Sequence, residues 1–111
     1  YAQAAKNAIT AGFNRIKIHA VNDYPIDQFL QDVSNERMNE YGESIKNCAR
    51  FVLEIVAAVD NTTGEDGAII HLSPWNTFQR DVHVSPSANL HLHPLTQLGD
   101  CHPSLAYVHF I

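Results

Sequence analysis

A chain of 111 residues with 45% hydrophobic content is long enough for one small domain with a modest core. Seven Lys and Arg against twelve Asp and Glu leave a net charge of −5, and without a basic cluster neither nucleic acid nor an anionic membrane surface is an expected partner. No apolar run approaches the ~20 residues of a bilayer span and the first ten residues lack the regions of a signal peptide, so a cytoplasmic location is expected.

The elements follow in chain order. Ala2, Ala5, Ala8 and Ile9 fall at helical spacing, and Gly12 stands where a left-handed C-cap closes such a helix, predicting a helix over 1–11. Ile16 and Ile18 alternate with polar neighbours, predicting a strand over 14–19, and His19, Asn22 and Tyr24 follow where it ends. The stretch from there to Ser44 is polar and irregular, too long for an ordinary connection, and reads as a functional loop. Ser44 is placed to N-cap a second helix, in which Ile45, Cys48, Phe51, Val52, Ile55, Val56 and Val59 form the apolar stripe and Lys46 and Glu54 face solvent. That helix is expected to stop near Asp60, before Asn61-Thr62-Thr63-Gly64.

Ala68-Ile69-Ile70-His71-Leu72 reads as a strand covered on both faces, ended by Ser73-Pro74. In 76–103 the residues Leu90, Leu92, Leu95 and Leu98 suggest a helical stripe with Pro94 inside it. An interior proline costs roughly 3 kcal/mol, so a broken or short helix is expected. Residues 105–110 form a last strand. This alternation is that of an α/β fold with a parallel sheet, and right-handed crossovers bring His19 and His71 to neighbouring C-terminal strand ends. Cys48 and Cys101 are the two cysteines, too few for a disulfide scaffold and consistent with reduced thiols.

The C-terminal ends of parallel strands are where α/β proteins hold ligands. A neutral imidazole and a carboxamide can both donate to one carbonyl oxygen, and a phenol two residues on can deliver a proton; His19, Asn22 and Tyr24 supply these groups. The bland alternative is a histidine that ends a strand and caps a turn, but three such groups ahead of a long polar loop favour the functional reading. His83, His91, His93, Cys101 and His102 are ligand types that zinc prefers. Their spacing contains no Cys-x₂-Cys or His-x₃-His pair; a metal-binding module is an alternative, and no metal is expected.

The run His19-Ala20-Val21-Asn22-Asp23-Tyr24, followed by Asp27-Gln28-Phe29-Leu30, resembles the Old Yellow Enzyme family of FMN-dependent ene-reductases. The resemblance continues through Ser34-Asn35-Glu36-Arg37, Glu40-Tyr41-Gly42-Glu43-Ser44-Ile45, Asn47, Arg50-Phe51, Leu72-Ser73-Pro74-Trp75 and Leu105-Ala106-Tyr107-Val108-His109. It implies that residues 1–111 are one fragment of a (β/α)₈ barrel, holding about its fourth, fifth and sixth strands. It also implies FMN and NAD(P)H as cofactors and a small α,β-unsaturated carbonyl compound as substrate. By position, His19 and Asn22 match the pair holding the substrate oxygen, Tyr24 matches the proton donor, and His71 and His19 match positions against the flavin.

The departures from the family pattern are specific. His71 stands where an Arg is usual, so a permanent cation is lost. Asp23 and Glu43 replace glycines, Arg80 follows Gln79 where Gly is common, and Cys48 replaces an Arg, leaving Arg50 alone. The start at Tyr1 rather than Met leads to the expectation of an upstream portion; the losses, and a barrel that typically takes ~250 residues with its phosphate grip after strands 7 and 8, raise a second reading, a truncated non-catalytic remnant. A three-stranded piece with open edges is also expected to self-associate.

Overall fold

The computed structural model describes residues 1–64, 66–74, 87–103 and 105–111. The elements are α1 (Ala2–Thr10), β1 (Ile16–Ala20), α2 (Pro25–Leu30), α3 (Ile45–Thr63), β2 (Ala68–Leu72), α4 (Ser87–Cys101) and β3 (Tyr107–Phe110). One three-stranded sheet has the order β1-β2-β3, parallel throughout, as the alternation requires. Gly12 closes α1 at φ +98, with its N–H on Ile9 O at 3.0 Å and that of Phe13 on Ala8 O at 3.1 Å. This is a Schellman ending, and it needs the left-handed conformation that glycine adopts freely.

Side chains alternate along a strand, and the two faces of this sheet differ sharply. Ile18, Ala20, Ala68, Ile70 and Leu72 point into a core that takes Ala5 from α1, Ile26 and Leu30 from α2, Val52, Val56 and Val59 from α3, and Leu98 from α4. The other face carries Lys17 and His19 from β1, Ile69 and His71 from β2, and Tyr107 and His109 from β3, paired His19 to His71 to His109 across the sheet. All the described helices thus feed one face, and the second is lined by polar groups.

Three expectations are corrected. The long polar stretch is not wholly irregular: α2 lies within it, because Pro25 at N1 is pre-set for helix and Ile26 and Leu30 are buried on one side. Asp27, fully buried, sits in the first turn of α2 and accepts from Asp23 N–H at 3.0 Å and from Gln31 Nε2 at 3.0 Å. α3 runs one turn past Asp60 to Thr63, since the Thr62 and Thr63 hydroxyls donate to Ala58 O and Val59 O at 2.9 and 3.1 Å and Gly64 supplies φ +77. α4 is continuous through Pro94. The ring forfeits one backbone bond, but Pro94 and Leu98 are buried, and that burial offsets the loss.

On α3, Ser44 Oγ accepts from Asn47 N–H at 3.2 Å, as the N-cap reading requires. The stripe is shifted slightly: Ala49 is buried, Ile45 is exposed, and Phe51 is half-buried. Phe51 stacks on Phe29 with ring centroids 4.1 Å apart, and Arg37 covers the other aromatic with its guanidinium 3.9 Å from the Phe29 centroid. Asn35, nearly buried, pins the loop by donating to Phe29 O and Tyr41 O, both at 2.7 Å. Arg50 is also structural here, since its Nε donates to Glu40 O at 2.8 Å.

Two of the three glycine replacements fall on strained backbone, Asp23 at φ +60 and Glu43 at φ +66; Arg80 lies outside the described residues. At Glu43 the Ser44 N–H donates to Gly42 O at 2.9 Å, a γ-turn of the rare positive-φ kind. A Cβ at Gly42 would collide with Arg37 O, so the glycine next to it is required for close approach.

Glu43→Gly is expected to stabilise the fold by about 1 kcal/mol and Asp23→Gly by less, because Asp tolerates the left-handed region better than Glu. Ile70→Ala, at the fully buried centre of the sheet, is expected to cost about 2–5 kcal/mol. Urea unfolding of the three variants checks both signs.

Candidate functional site

Directly after β1 the chain turns through two successive left-handed residues, Asn22 at φ +57 and Asp23 at φ +60. Such strain persists only where neighbours over-determine it, and here they do. Asn22 N–H donates to the buried Ser73 Oγ at 3.1 Å, tying the turn to the end of β2. Asp23 N–H is held by Asp27, and Gln28 Nε2 donates to Asp23 O at 2.7 Å. The turn brings Tyr24 back against His19, with ring centroids 5.4 Å apart at 71°.

From His19 the polar row continues across the sheet. The His19 and His71 rings meet edge to face at 5.8 Å. His71 and His109 are stacked, 4.2 Å apart with 3° between planes, and Lys17 Nζ lies 3.2 Å from His109 Nδ1. His19 and Tyr24 are exposed, whereas Asn22, His71 and His109 are half-buried. Burial pushes the His71 imidazole below its ordinary value, and His109, Lys17 and His19 push it in the same direction. His71 is therefore neutral at pH 7, and its buried Nε2 has no hydrogen-bond partner.

The structure thus gathers His19, Tyr24 and His71 at the C-terminal ends of β1 and β2, with Asn22 in the turn between them. Lys17, His109, Ser73 and Asp27 also belong to the arrangement; the last three fall within the runs that carry the resemblance, but no role attached to them there. The one available clue was phase: His19, His71 and His109 each lie one residue before the last in a predicted or observed strand end, or in it, and so share a face once the strands are paired in register.

Two of the five residues of the alternative set, His83 and the side chain of His91, are not among those described; among the described residues no group of three or more His, Cys, Asp or Glu is placed to hold a metal ion. Cys101 is exposed, and His102 Nδ1 lies 3.4 Å from Asp60 Oδ2. Among the described residues no helix is long and apolar enough to cross a membrane.

Comparison with known proteins agrees with this geometry. Residues 1–111 match the family described as NADH:flavin oxidoreductase / NADH oxidase. Chanoclavine-I aldehyde reductase fgaOx3 of Penicillium roqueforti is 44% identical over 113 aligned residues, covering 100% of this chain and 29% of the relative. An Old Yellow Enzyme homologue from Zymomonas mobilis superposes with a TM-score of 0.90 at 32% identity, over 99% of this chain and 30% of the other. Morphinone reductase in complex with tetrahydroNAD gives a TM-score of 0.88 at 37% identity, again over 99% of this chain and 30% of that one. The chain spans less than a third of the length of these proteins. With its sheet parallel throughout and its polar row at the strand C-termini, the chain belongs to the NADH:flavin oxidoreductase family of Old Yellow Enzymes and forms a partial (β/α)₈ barrel.

Proposed function

We propose that the protein containing this chain is an FMN-dependent reductase of carbon–carbon double bonds conjugated to a carbonyl, drawing its electrons from NAD(P)H. This chain supplies the wall that holds and protonates the substrate. The observation that carries the reading is the packing of Tyr24 on His19, 5.4 Å between centroids, beside His71 at the strand ends.

The His71 ring nitrogen, buried and without a partner, fits the polar edge of a bound heterocycle, and it offers a neutral hydrogen-bonding atom there rather than a fixed charge. FMN, when bound, would supply the hydride that the alkene carbon β to the carbonyl accepts. As that hydride arrives, negative charge builds on the carbonyl oxygen. Donors from His19 and Asn22 meet it, and because they are fixed before the reaction they stabilise the charged oxygen more than the neutral one. Tyr24 then donates its phenolic proton to the α-carbon, re-forming the carbonyl. Pinning Asn22 to Ser73 and Asp23 to Asp27 holds donor and acid in one frame, which is what positioning contributes to such a step.

A second reading keeps the family and drops the activity. The strained Asp23 and Glu43 and the uncharged His71 at a position where the family pattern has Arg are what a remnant under relaxed constraint accumulates.

In the flavin-loaded protein that contains this chain, His19→Ala is expected to slow alkene reduction by ~10²–10³. Tyr24→Phe is expected to slow the same half-reaction while leaving flavin reduction by the nicotinamide unchanged. Stopped-flow measurement of the two half-reactions decides: equal slowing of both by Tyr24→Phe removes the proton-donor role, and a flavin-loaded parent protein inert towards enones establishes the remnant.

A further inference from the structure

The polar face of the sheet holds a cation that the chemistry above does not use. Lys17 pairs with Ile69, and Ile69 with Tyr107, two residues before the histidine row, and its ammonium reaches across β2 to Nδ1 of His109 on β3 at 3.2 Å. An ammonium has hydrogens to donate and no lone pair to accept with. Nδ1 of His109 must therefore be the acceptor and carries no proton. The contact selects one of the two neutral tautomers, with the hydrogen on Nε2.

His109 is in turn the ring on which His71 lies flat, 4.2 Å away with 3° between planes, while His19 meets His71 by its edge. We propose that Lys17 is a positioning residue of this site: its ammonium fixes the tautomer of His109, and the stack on His109 fixes the plane of the His71 ring. Where it concerns a flavin edge, this rests on the function proposed above; the tautomer does not.

The groups that face His71 all act in one direction. Lys17 and His19 from β1 and His109 from β3 oppose its protonation, and burial does so first. Tyr107 shares the face from β3, and Tyr24 stands against His19 from the turn before α2. A His whose folded value is depressed binds its proton more readily unfolded than folded, so the neutral form of His71 is complete above the unfolded value of about 6.5 and is lost as pH falls through the folded one. The permanent positive charge on this face then resides on Lys17, whose register partner Ile69 is two residues from His71. A bound anion would feel it from behind a neutral imidazole rather than as a direct ion pair.

The test is long-range ¹H–¹⁵N correlation spectroscopy of the imidazoles in the chain as it stands, without flavin, for wild type, Lys17→Met and Lys17→Arg. In the wild type at pH 7.5 the two ring nitrogens of His109 are expected to be widely split, as one neutral tautomer requires, with the unprotonated one at Nδ1. Lys17→Met is expected to collapse that splitting towards an average and to shift the titration midpoint of His71 upward. Lys17→Arg, which also only donates, is expected to keep both signatures. A wild-type His109 that is protonated at Nδ1, or averaged between tautomers, overturns the proposal without reference to any variant. So does a Lys17→Met protein with an intact amide spectrum in which neither signature moves. Failure of the containing protein to load FMN would count against the proposed function and would leave these spectra unchanged.

Discussion

The in-register parallel pairing of β2 between β1 and β3 is the constraint on which everything else here depends. Side chains on a strand alternate with a period of two, so a slip of one residue in either pairing exchanges its two faces. With the observed register, Ile18, Ile70 and Val108 align on the core side and His19, His71 and His109 on the other. The register is held by what it buries: Ile70, Leu72, Ala68 and Ala20 are fully excluded from water against α2, α3 and α4, and a slip would place the imidazoles among them. The polar row is thus the necessary reverse of an apolar core. The described helices cover only the other face, and the site proposed above is read from this polar run at the strand C-termini, where α/β proteins hold ligands.

The second determinant is local strain held by tertiary contacts. A turn through two left-handed residues, Asn22 and Asp23, is unfavourable by itself, yet it is the geometry that folds Tyr24 back onto His19. Ser73 on β2 and Asp27 on α2 hold it, so the same register that aligns the histidines also places the hydroxyl that receives the Asn22 N–H. At Glu43 the strain has a different use. It lets the backbone close on Gly42 and present Ser44 as the cap of α3, the helix that contributes most to the core.

Much of this was legible in the residues. Alternation at Ile16 and Ile18, the apolar run 68–72, and the stripe from Cys48 to Val59 identify β1, β2 and α3, because each buries a side whose period is unambiguous. The cap at Ser44 and the terminator at Gly12 were readable for the same local reasons, and so was the grouping of His19, Tyr24 and His71 at the strand ends. α2 was hidden because six residues hold too few repeats to outweigh a polar neighbourhood, although Pro25 with Ile26 and Leu30 was the available sign. Pro94 was misjudged because propensity counts the lost hydrogen bond and not the burial of the ring. Phe51, taken as core, lies at the edge of its stripe and belongs to an aromatic cluster with Phe29 and Tyr41. Lys17 and His109 were invisible as partners, since they are 92 positions apart and meet only through the register of two pairings.

That register is open to direct measurement. Nuclear Overhauser contacts in the labelled chain are predicted to link the ring protons of His71 to those of both His19 and His109, and to link the methyl protons of Ile18, Ile70 and Val108 on the opposite face. Contacts from the His71 ring to Val108 or Phe110 in place of His109 would mean that β3 is shifted by one residue; the histidine row would then not exist, and with it would go the site assigned to this face.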